Sequence, residues 1–333
     1  MGNHQVPATA RGELYVSGVS KSKIVCNVAV IGAGTMGPGI AQVFAQAGCP
    51  VNLIDIDRKA LKQAQERIKS SVSAFKEAGL YGARKAAATL DKVKVTTKLA
   101  EGIKSADFIV EAIAENLEIK LALFKQIEKL APAKAIIASN TSTFSIDDMA
   151  KVAKRPGKYM LTHFVNPPHV IPLVEVARGV KTSKETYEFT LALLKQAGKR
   201  PLILRKMIPG HLINNFNFAI LSTAMGFMGQ GIASIEDIDR AFTEALGPRY
   251  AIMGPFKTMD LLGLNILWQA MTSFDPNAHS DPRVKQLRDL YQAGKLGMRT
   301  GAGFYDYSDK SYFDTLNEYN RRIINSYNTA QEK

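Results

Sequence analysis

The sequence predicts an α/β fold, in which a mostly parallel sheet with helices on both faces precedes an all-helical C-terminal domain. From residue 24 to about residue 208, short apolar runs rich in β-branched residues alternate with longer helical patterns, as they do in βαβ units. After Pro209 only long helical patterns follow. The predicted division is a tail over residues 1–23, a sheet domain over residues 24–208 and a helical domain over residues 209–333.

Seven runs in the first domain have the length and composition of buried strands. They cover residues 25–31, 51–55, 108–112, 135–139, 158–163, 172–178 and 201–204. Helices are expected over residues 58–79, 211–230, 234–246 and 257–273. The third of these begins with a capping signal at Ser234 and ends at Gly247.

The composition is ordinary for a globular enzyme of two domains, with 46% hydrophobic residues in a chain of 333. No apolar run approaches the ~20 residues that span a bilayer, so a membrane protein is not expected. Residues 1–23 are polar and lack the apolar segment of a secretory signal, which favours a flexible tail. Cys26 and Cys49 offer neither a disulfide framework nor a metal site, which favours the cytoplasm, with the mitochondrial matrix left open.

The formal net charge of +13 raises the question of a nucleic-acid partner. The basic residues are spread along the whole chain, however, and no nucleic-acid-binding motif is present. No nucleic-acid partner is therefore expected. The charge is interpreted either as a solvated basic surface or as a positive potential that attracts an anionic substrate or cofactor.

The strongest local motif is the glycine-rich segment Gly32-Ala-Gly34-Thr35-Met36-Gly37, which follows an apolar strand and begins a helix. Gly32 permits a tight turn, Gly34 lets the backbone approach a diphosphate, and Gly37 allows the helix to pack closely on the strand. The helix N-terminus supplies free N–H groups and the positive end of a dipole. The motif predicts a dinucleotide-binding domain of the Rossmann type.

A second strand ends in Asp55, at the position from which an acidic residue reaches the adenosine ribose in such domains. Its carboxylate would accept hydrogen bonds from the ribose hydroxyls and would repel a 2′-phosphate. Ile56 follows it, where a basic residue would favour the phosphorylated cofactor. The sequence therefore predicts NAD, and not NADP, as the cofactor.

Two polar clusters follow predicted strands, at the edge of the sheet where open α/β sheets bind ligands. The first contains Ser142, which could equally cap the helix that follows it. The second contains His163 and Asn166, and Glu175 lies in the next predicted strand. These residues are the candidates for catalysis.

Oxidation of an alcohol requires a base for the hydroxyl proton while hydride leaves the same carbon. Neutral imidazole is suited to that role near pH 7, which makes His163 the candidate base. A carboxylate on its other ring nitrogen would fix the tautomer and stabilise the imidazolium, and Glu175 is the candidate. His169 is a competitor that spacing alone does not dismiss, and a purely structural histidine remains the alternative.

Together these segments resemble the L-3-hydroxyacyl-CoA dehydrogenase family, whose superfamily also contains L-gulonate 3-dehydrogenase (lambda-crystallin) and carnitine dehydrogenase. The similarity extends from about residue 24 to about residue 307. Beyond the glycine-rich segment and Asp55, the matching blocks are residues 110–120, 138–142, 163–167, 173–176, 209–214, 253–256 and 294–305.

The resemblance implies NAD as cofactor and a catalytic pair of His163 and Glu175, and it demotes His169, which lies outside the motif. It places Ser142 and Asn214 near the substrate hydroxyl and the nicotinamide. It also implies that the C-terminal helical domain forms a homodimer and closes the substrate cleft. The residues expected along the cofactor are Gly32, Gly34, Thr35, Met36, Gly37, Asp55, Glu115, Lys120 and Asn140.

Two departures from the family pattern concern the substrate. In acyl-CoA members the helix after the ribose-binding acid contributes a serine and, two turns later, a lysine to the CoA nucleotide. Ser71 fits the first position, but Ala78 occupies the second. Arg249 and Asn166 resemble the branch that acts on free hydroxy acids, in which an arginine fork pairs with a carboxylate. The alternative for Arg249 is a salt bridge at the surface or at a dimer interface.

The expected reaction is the NAD-dependent oxidation of an L-3-hydroxyacyl-CoA, such as 3-hydroxybutyryl-CoA, to the 3-keto product. One alternative is a dehydrogenase of a free 3-hydroxy acid of the L-gulonate or carnitine type, with Arg249 on the carboxylate. The other is a non-catalytic structural protein on the same scaffold, as a crystallin is. The presence of Ser142, His163, Glu175 and Asn214 together argues against the last.

Overall fold

The computed structural model describes residues 24–331, so the tail predicted over residues 1–23 lies outside the described residues. The chain divides into two compact units, the first ending at Ala219 and the second beginning at Ile220. The first unit contains the sheet, and the second is helical. Within the described part of the chain, no helix is long and apolar enough to cross a membrane.

The sheet has eight strands in the order β3-β2-β1-β4-β5-β6-β7-β8. All neighbouring strands are parallel except β6 and β7, so the predicted mostly parallel sheet is confirmed. The strand β3, which is short and contains a lysine, was not among the predicted strands. The strands are β1 Val28–Ile31, β2 Val51–Ile54, β3 Val93–Thr96, β4 Phe108–Glu111, β5 Ile136–Ser139, β6 Tyr159–Phe164, β7 Leu173–Arg178 and β8 Arg200–Ile203.

Helices cover both faces of the sheet, because successive side chains of its central strands point in opposite directions and both sets are apolar. Val30 packs with Phe44 on one face, whereas the next residue, Ile31, packs with Phe124 on the other. The helices of this unit are α1 Gly37–Gln46, α2 Arg58–Glu77, α3 Ala83–Asp91, α4 Leu99–Ile103, α5 Leu117–Leu130, α6 Ile146–Ala150 and α7 Lys184–Gln196.

The C-terminal part is helical, as predicted. Its helices are α8 Ile213–Gly229, α9 Ile235–Arg240, α10 Gly247–Ile252, α11 Pro255–Leu262, α12 Leu264–Phe274, α13 Lys285–Gln292 and α14 Tyr312–Gln331. The expected cap is present, since Ser234 accepts a hydrogen bond from the N–H of Asp237. The single helix predicted over residues 257–273 is wrong, because Gly263 has φ 109° and separates α11 from α12.

A buried carboxylate, Asp260 in α11, organises the segment after α13. It accepts hydrogen bonds from the N–H groups of Phe304 and Tyr305 and from the hydroxyl of Tyr307, at 2.9 to 3.1 Å. A Cβ on Gly303 would lie 2.1 Å from Oδ1 of Asp260, so only glycine permits this approach. The glycine-rich block near residue 300 therefore has a structural reason.

Candidate active site

The pairing of β6 with β7 brings the proposed base and its acid together. In the antiparallel register of these strands, His163 lies directly opposite Glu175. Directly opposed residues have Cβ atoms ~5 Å apart and side chains on the same face of the sheet. The separation of twelve positions in the sequence is thus closed by the loop between the two strands.

Both nitrogens of the His163 ring have defined partners. Nδ1 lies 2.7 Å from Oε2 of Glu175, and Nε2 lies 3.1 Å from Oγ of Ser142. An ionised carboxylate only accepts hydrogen bonds, so we assign the proton of the neutral ring to Nδ1. Nε2 then carries the lone pair and faces the hydroxyl of Ser142.

The second oxygen of Glu175 is bound at the start of α8. Its Oε1 accepts hydrogen bonds from the N–H groups of Leu212 at 2.8 Å and Ile213 at 3.1 Å. Burial by itself would raise the pKa of Glu175, but the hydrogen bonds from His163 and from these two amides outweigh it and lower the pKa. The carboxylate is therefore ionised at neutral pH, and Asn214, the residue after Ile213, lies in the first turn of α8.

A second histidine, His211, lies next to the first and was missed as a site residue. It is buried, its ring centroid lies 5.2 Å from that of His163, and its Nε2 donates to the carbonyl of Thr141 at 3.0 Å. Burial lowers the pKa of His211, and the neighbouring His163 lowers it further. Its position inside the Pro-Gly-His block after β8 was the only signal in the sequence.

Glu115 fixes the loop that carries Ser142. Its Oε1 accepts hydrogen bonds from the N–H groups of Ser142 at 3.0 Å and Thr143 at 2.9 Å, and from the hydroxyl of Thr141. Burial would raise the pKa of Glu115, but the hydrogen bonds from Thr141 and Lys120 lower it. The carboxylate therefore holds the serine in place as an ionised acceptor.

Lys120 is buried between two carboxylates. Its Nζ lies 2.6 Å from Oε1 of Glu111, which is completely buried, and 3.1 Å from Oε2 of Glu115. Lys120 is predicted to lie along the cofactor, and that contact stays a prediction. Glu111 was not among the predicted site residues, although an acidic residue at the end of the otherwise apolar β4 was a signal.

The glycine turn fits a dinucleotide. A Cβ on Gly32 would lie 2.4 Å from the carbonyl oxygen of Ala112, and one on Gly37 would lie 1.7 Å from that of Gly32. A Cβ on Gly34, by contrast, would meet no described atom within 4 Å, which leaves this backbone open to an approaching diphosphate. Thr35 and Met36 connect this open position to α1.

Asp55 is fixed at the end of β2. Its Oδ2 accepts a hydrogen bond from the N–H of Ala33 at 2.7 Å, and its Oδ1 accepts one from the N–H of Asp57 at 2.9 Å. The carboxylate is thereby held beside the glycine turn, where ribose hydroxyls of NAD would reach it. These residues therefore fit NAD.

The remaining predicted residues lie in different places. Oδ1 of Asn140 accepts a hydrogen bond from the N–H of Phe164 at 2.8 Å, which ties the ends of β5 and β6 together. Ser71 and Asn166 line one cavity of about 60 Å³. Arg249 lies in α10 of the second unit, and its contact with a substrate stays a prediction.

His169, the competing candidate base, has different neighbours. Its Nδ1 is buried and has no hydrogen-bond partner among residues 24–331. Its ring centroid lies 6.0 Å from that of Phe75, and a Cβ on Gly39 would lie 3.0 Å from its Nδ1. Burial and the charge of Lys199 lower its pKa. Glu175 pairs with His163, so the geometry favours His163 as the base.

No group of side chains suited to a metal ion is found among the described residues.

Two family models match consecutive parts of the chain. The model described as 3-hydroxyacyl-CoA dehydrogenase, NAD binding domain, matches residues 27–207. The model described as 3-hydroxyacyl-CoA dehydrogenase, C-terminal domain, matches residues 210–307. Both parts of the chain thus carry the same family signal.

Similar proteins agree with these models. The human protein named hydroxyacyl-coenzyme A dehydrogenase, mitochondrial, is 36% identical over an alignment of 302 residues that covers 87% of this chain and 94% of that protein. A probable 3-hydroxybutyryl-CoA dehydrogenase of Bacillus subtilis is 33% identical over 287 residues, 85% of this chain and 98% of the relative. The crystal structure of a 3-hydroxyacyl-CoA dehydrogenase from Archaeoglobus fulgidus has a TM-score of 0.74 and 30% identity, covering 92% of this chain and all of that one.

Proposed function

Because the chain belongs to the 3-hydroxyacyl-CoA dehydrogenase family, we propose that it oxidises an L-3-hydroxyacyl-CoA, such as 3-hydroxybutyryl-CoA, to the 3-keto thioester, with His163 as the general base. The observation that carries this proposal is the 2.7 Å hydrogen bond between Nδ1 of His163 and Glu175. Because this bond keeps the ring proton on Nδ1, the lone pair that accepts a proton is on Nε2. NAD, when bound on the glycine turn, accepts the hydride.

The proton of the substrate hydroxyl moves to Nε2 of His163. The imidazolium that results is stabilised by the buried, ionised Glu175, whose charge it faces. The hydroxyl of Ser142 lies 3.1 Å from the same nitrogen. A substrate hydroxyl that binds beside Ser142 would therefore be within reach of Nε2. Ser142 then orients the substrate hydroxyl, and Asn214, the second residue of α8, is the proposed further contact to that hydroxyl and the nicotinamide.

A free 3-hydroxy acid is the second candidate substrate, because a cation expected for the CoA nucleotide is missing. Ala78 is the C-terminal cap residue of α2 and stands where the acyl-CoA members have a lysine, and the basic residue of that last turn is Lys76. Arg249 is the candidate partner for the carboxylate of such an acid.

Substrate assays separate these activities. The absorbance of NADH is followed with 3-hydroxybutyryl-CoA, L-gulonate and carnitine, at equal concentrations of substrate and NAD. The proposal expects the thioester to have the highest kcat/KM. A higher value for a free acid would favour the second candidate. Binding of NAD without turnover of any of the three would instead point to a structural protein.

We also propose a homodimer formed through the helical unit. Apolar side chains of α8 are exposed, among them Leu221 at 48%, Met225 at 65% and Met228 at 47%. A row of exposed apolar residues on one helix is typical of a surface that another chain covers. Light scattering after size exclusion tests this, and a monomeric mass at micromolar concentration would contradict it.

The division into domains and the compartment are likewise proposals. We place the boundary between an NAD-binding domain and a substrate and dimerisation domain near residue 208, which the ends of the two family matches support. We place the protein in a reducing compartment, the cytoplasm or the mitochondrial matrix, since Cys26 and Cys49 are both buried thiols. Expression of residues 24–208 alone, and fractionation of cells, test the two proposals.

A further inference from the structure

Arg67 is a cation on α2 that reaches the glycine turn, and it does not belong to any motif of the sequence analysis. Its guanidinium donates a hydrogen bond to the carbonyl oxygen of Ala33 at 3.0 Å. Ala33 stands between Gly32 and Gly34, at the point where the backbone is open to a diphosphate. The positive charge is therefore fixed beside the phosphate-binding turn.

Asp55 and Arg67 hold the same residue from two sides. Asp55 accepts the hydrogen bond from the N–H of Ala33, and Arg67 donates one to its carbonyl oxygen. The carboxylate is suited to ribose hydroxyls, which donate hydrogen bonds. The guanidinium is suited to the other polar part of the same ligand, the diphosphate, which only accepts them.

Most donors of Arg67 remain available. A guanidinium has five N–H groups, and the hydrogen bond to Ala33 uses one of them. Within residues 24–331 no carboxylate forms an ion pair with Arg67, and its side chain is exposed. An exposed guanidinium without a carboxylate partner is free to form the paired hydrogen bonds that arginine makes with phosphate.

Arg67 lines a cavity that contains buried polar atoms without a hydrogen-bond partner among the described residues. The cavity is also lined by Thr35, Gln42 and Ser71. Gln42 is 1% exposed, yet its Nε2 has no hydrogen-bond partner among the described residues, and the same is true of Oγ of Ser71. These unpartnered polar atoms and the exposed Arg67 line the same cavity, so a ligand bound at Arg67 would lie next to them.

We propose that Arg67 is a cofactor-binding residue, which binds the diphosphate of NAD from the side opposite the N–H groups of the glycine turn. Thr35, in the turn itself, lines the same cavity as Arg67, so the two flank the path that a diphosphate would take. The assignment extends the cofactor site from the Rossmann motif to a residue on the second helix.

Binding measurements with the purified protein test the assignment. Calorimetry gives the Kd of NAD, ADP and adenosine for the wild type and for Arg67→Met. We expect the variant to bind NAD and ADP about 10-fold more weakly, which corresponds to about 1.4 kcal/mol, and adenosine within ~2-fold of the wild type. The Kd of ADP should also depend less steeply on salt in the variant, since one screened charge pair is lost.

Two further variants serve as controls. Lys62→Met removes the same charge from the same exposed part of α2, and it should change the Kd of ADP by less than ~2-fold. Arg67→Lys keeps the charge without the fork and should lie between the wild type and Arg67→Met. It also provides a second test if Arg67→Met does not fold.

Three results would overturn the assignment. An unchanged Kd of ADP in both Arg67 variants would remove the residue from the cofactor site. An equal loss for ADP and adenosine would mean that Arg67 only supports the backbone at Ala33. An unchanged Kd of NAD with weaker binding of coenzyme A would assign the guanidinium to a phosphate of the substrate.

Discussion

Replacement of Glu175 by glutamine tests the proposed base without removing it. The carboxylate offers two acceptor oxygens, one for Nδ1 of His163 and one for the N–H groups of Leu212 and Ile213. The amide of glutamine offers one oxygen and one NH₂ group of nearly the same shape. In either orientation, its NH₂ faces a donor or forces the His163 proton onto Nε2, where it blocks the base.

The magnitude follows from the charge that is lost. The imidazolium formed during the reaction lies about 4 Å from the centre of the Glu175 charge, and at an effective dielectric constant of about 20 that pair contributes about 4 kcal/mol. Since ~1.4 kcal/mol is a tenfold change in rate, kcat should fall about 10³-fold. The Kd of NAD should change little, because Glu175 lies on β7 and the glycine turn follows β1.

The assay is steady-state turnover together with calorimetric binding of NAD, with Glu188→Gln as the matched control. Glu188 is an exposed carboxylate on α7, 3.8 Å from Lys184, so its replacement should leave kcat within ~2-fold. A kcat for Glu175→Gln within ~5-fold of the wild type would refute the reasoning. Neither the charge of Glu175 nor the tautomer of His163 would then affect the rate of the reaction.

Three further predictions concern buried polar groups. Lys120→Met should lower the free energy of unfolding by about 3 to 5 kcal/mol in denaturant titrations, because Glu111 would keep a buried charge without its partner; a loss below ~1 kcal/mol would contradict this. Asp260→Asn should lower the free energy of unfolding by about 1 to 3 kcal/mol, because the amide has only one acceptor oxygen for the three donors that Asp260 binds. Unchanged stability would show that these hydrogen bonds are dispensable. Burial lowers the pKa of Lys199 from 10.5 to about 8, so the unfolded chain binds more protons between these values and stability gains with rising pH. Relative to Lys199→Met, the wild type should therefore gain about 3 kcal/mol between pH 8 and 10.5, and parallel curves would contradict the shift.

The strands and the glycine turn could be predicted because their signals are local. The apolar run Val28–Ile31 and the glycine spacing over residues 32–37 that follows it are both patterns among neighbouring residues. The strand Val93–Thr96 was not predicted because it lies at the edge of the sheet, where none of its four residues is fully buried and the apolar signal is weak. The break at Gly263 escaped because a lone glycine in a helical pattern is often tolerated.

The site was predictable only in part, because its remaining members are defined by partners distant in the sequence. The spacing of His163 and Glu175 predicts that their side chains meet only once β7 is known to run antiparallel to β6. A short loop can join antiparallel strands, whereas parallel strands need a longer crossover connection. Glu111 becomes a candidate only because the fold brings Lys120 against it, at 2.6 Å. Arg67, likewise, is an ordinary exposed arginine until the fold brings α2 beside Ala33. A residue whose role depends on a contact with a distant part of the chain has no recognisable sequence motif. Only the folded structure identifies such a residue as a candidate site residue.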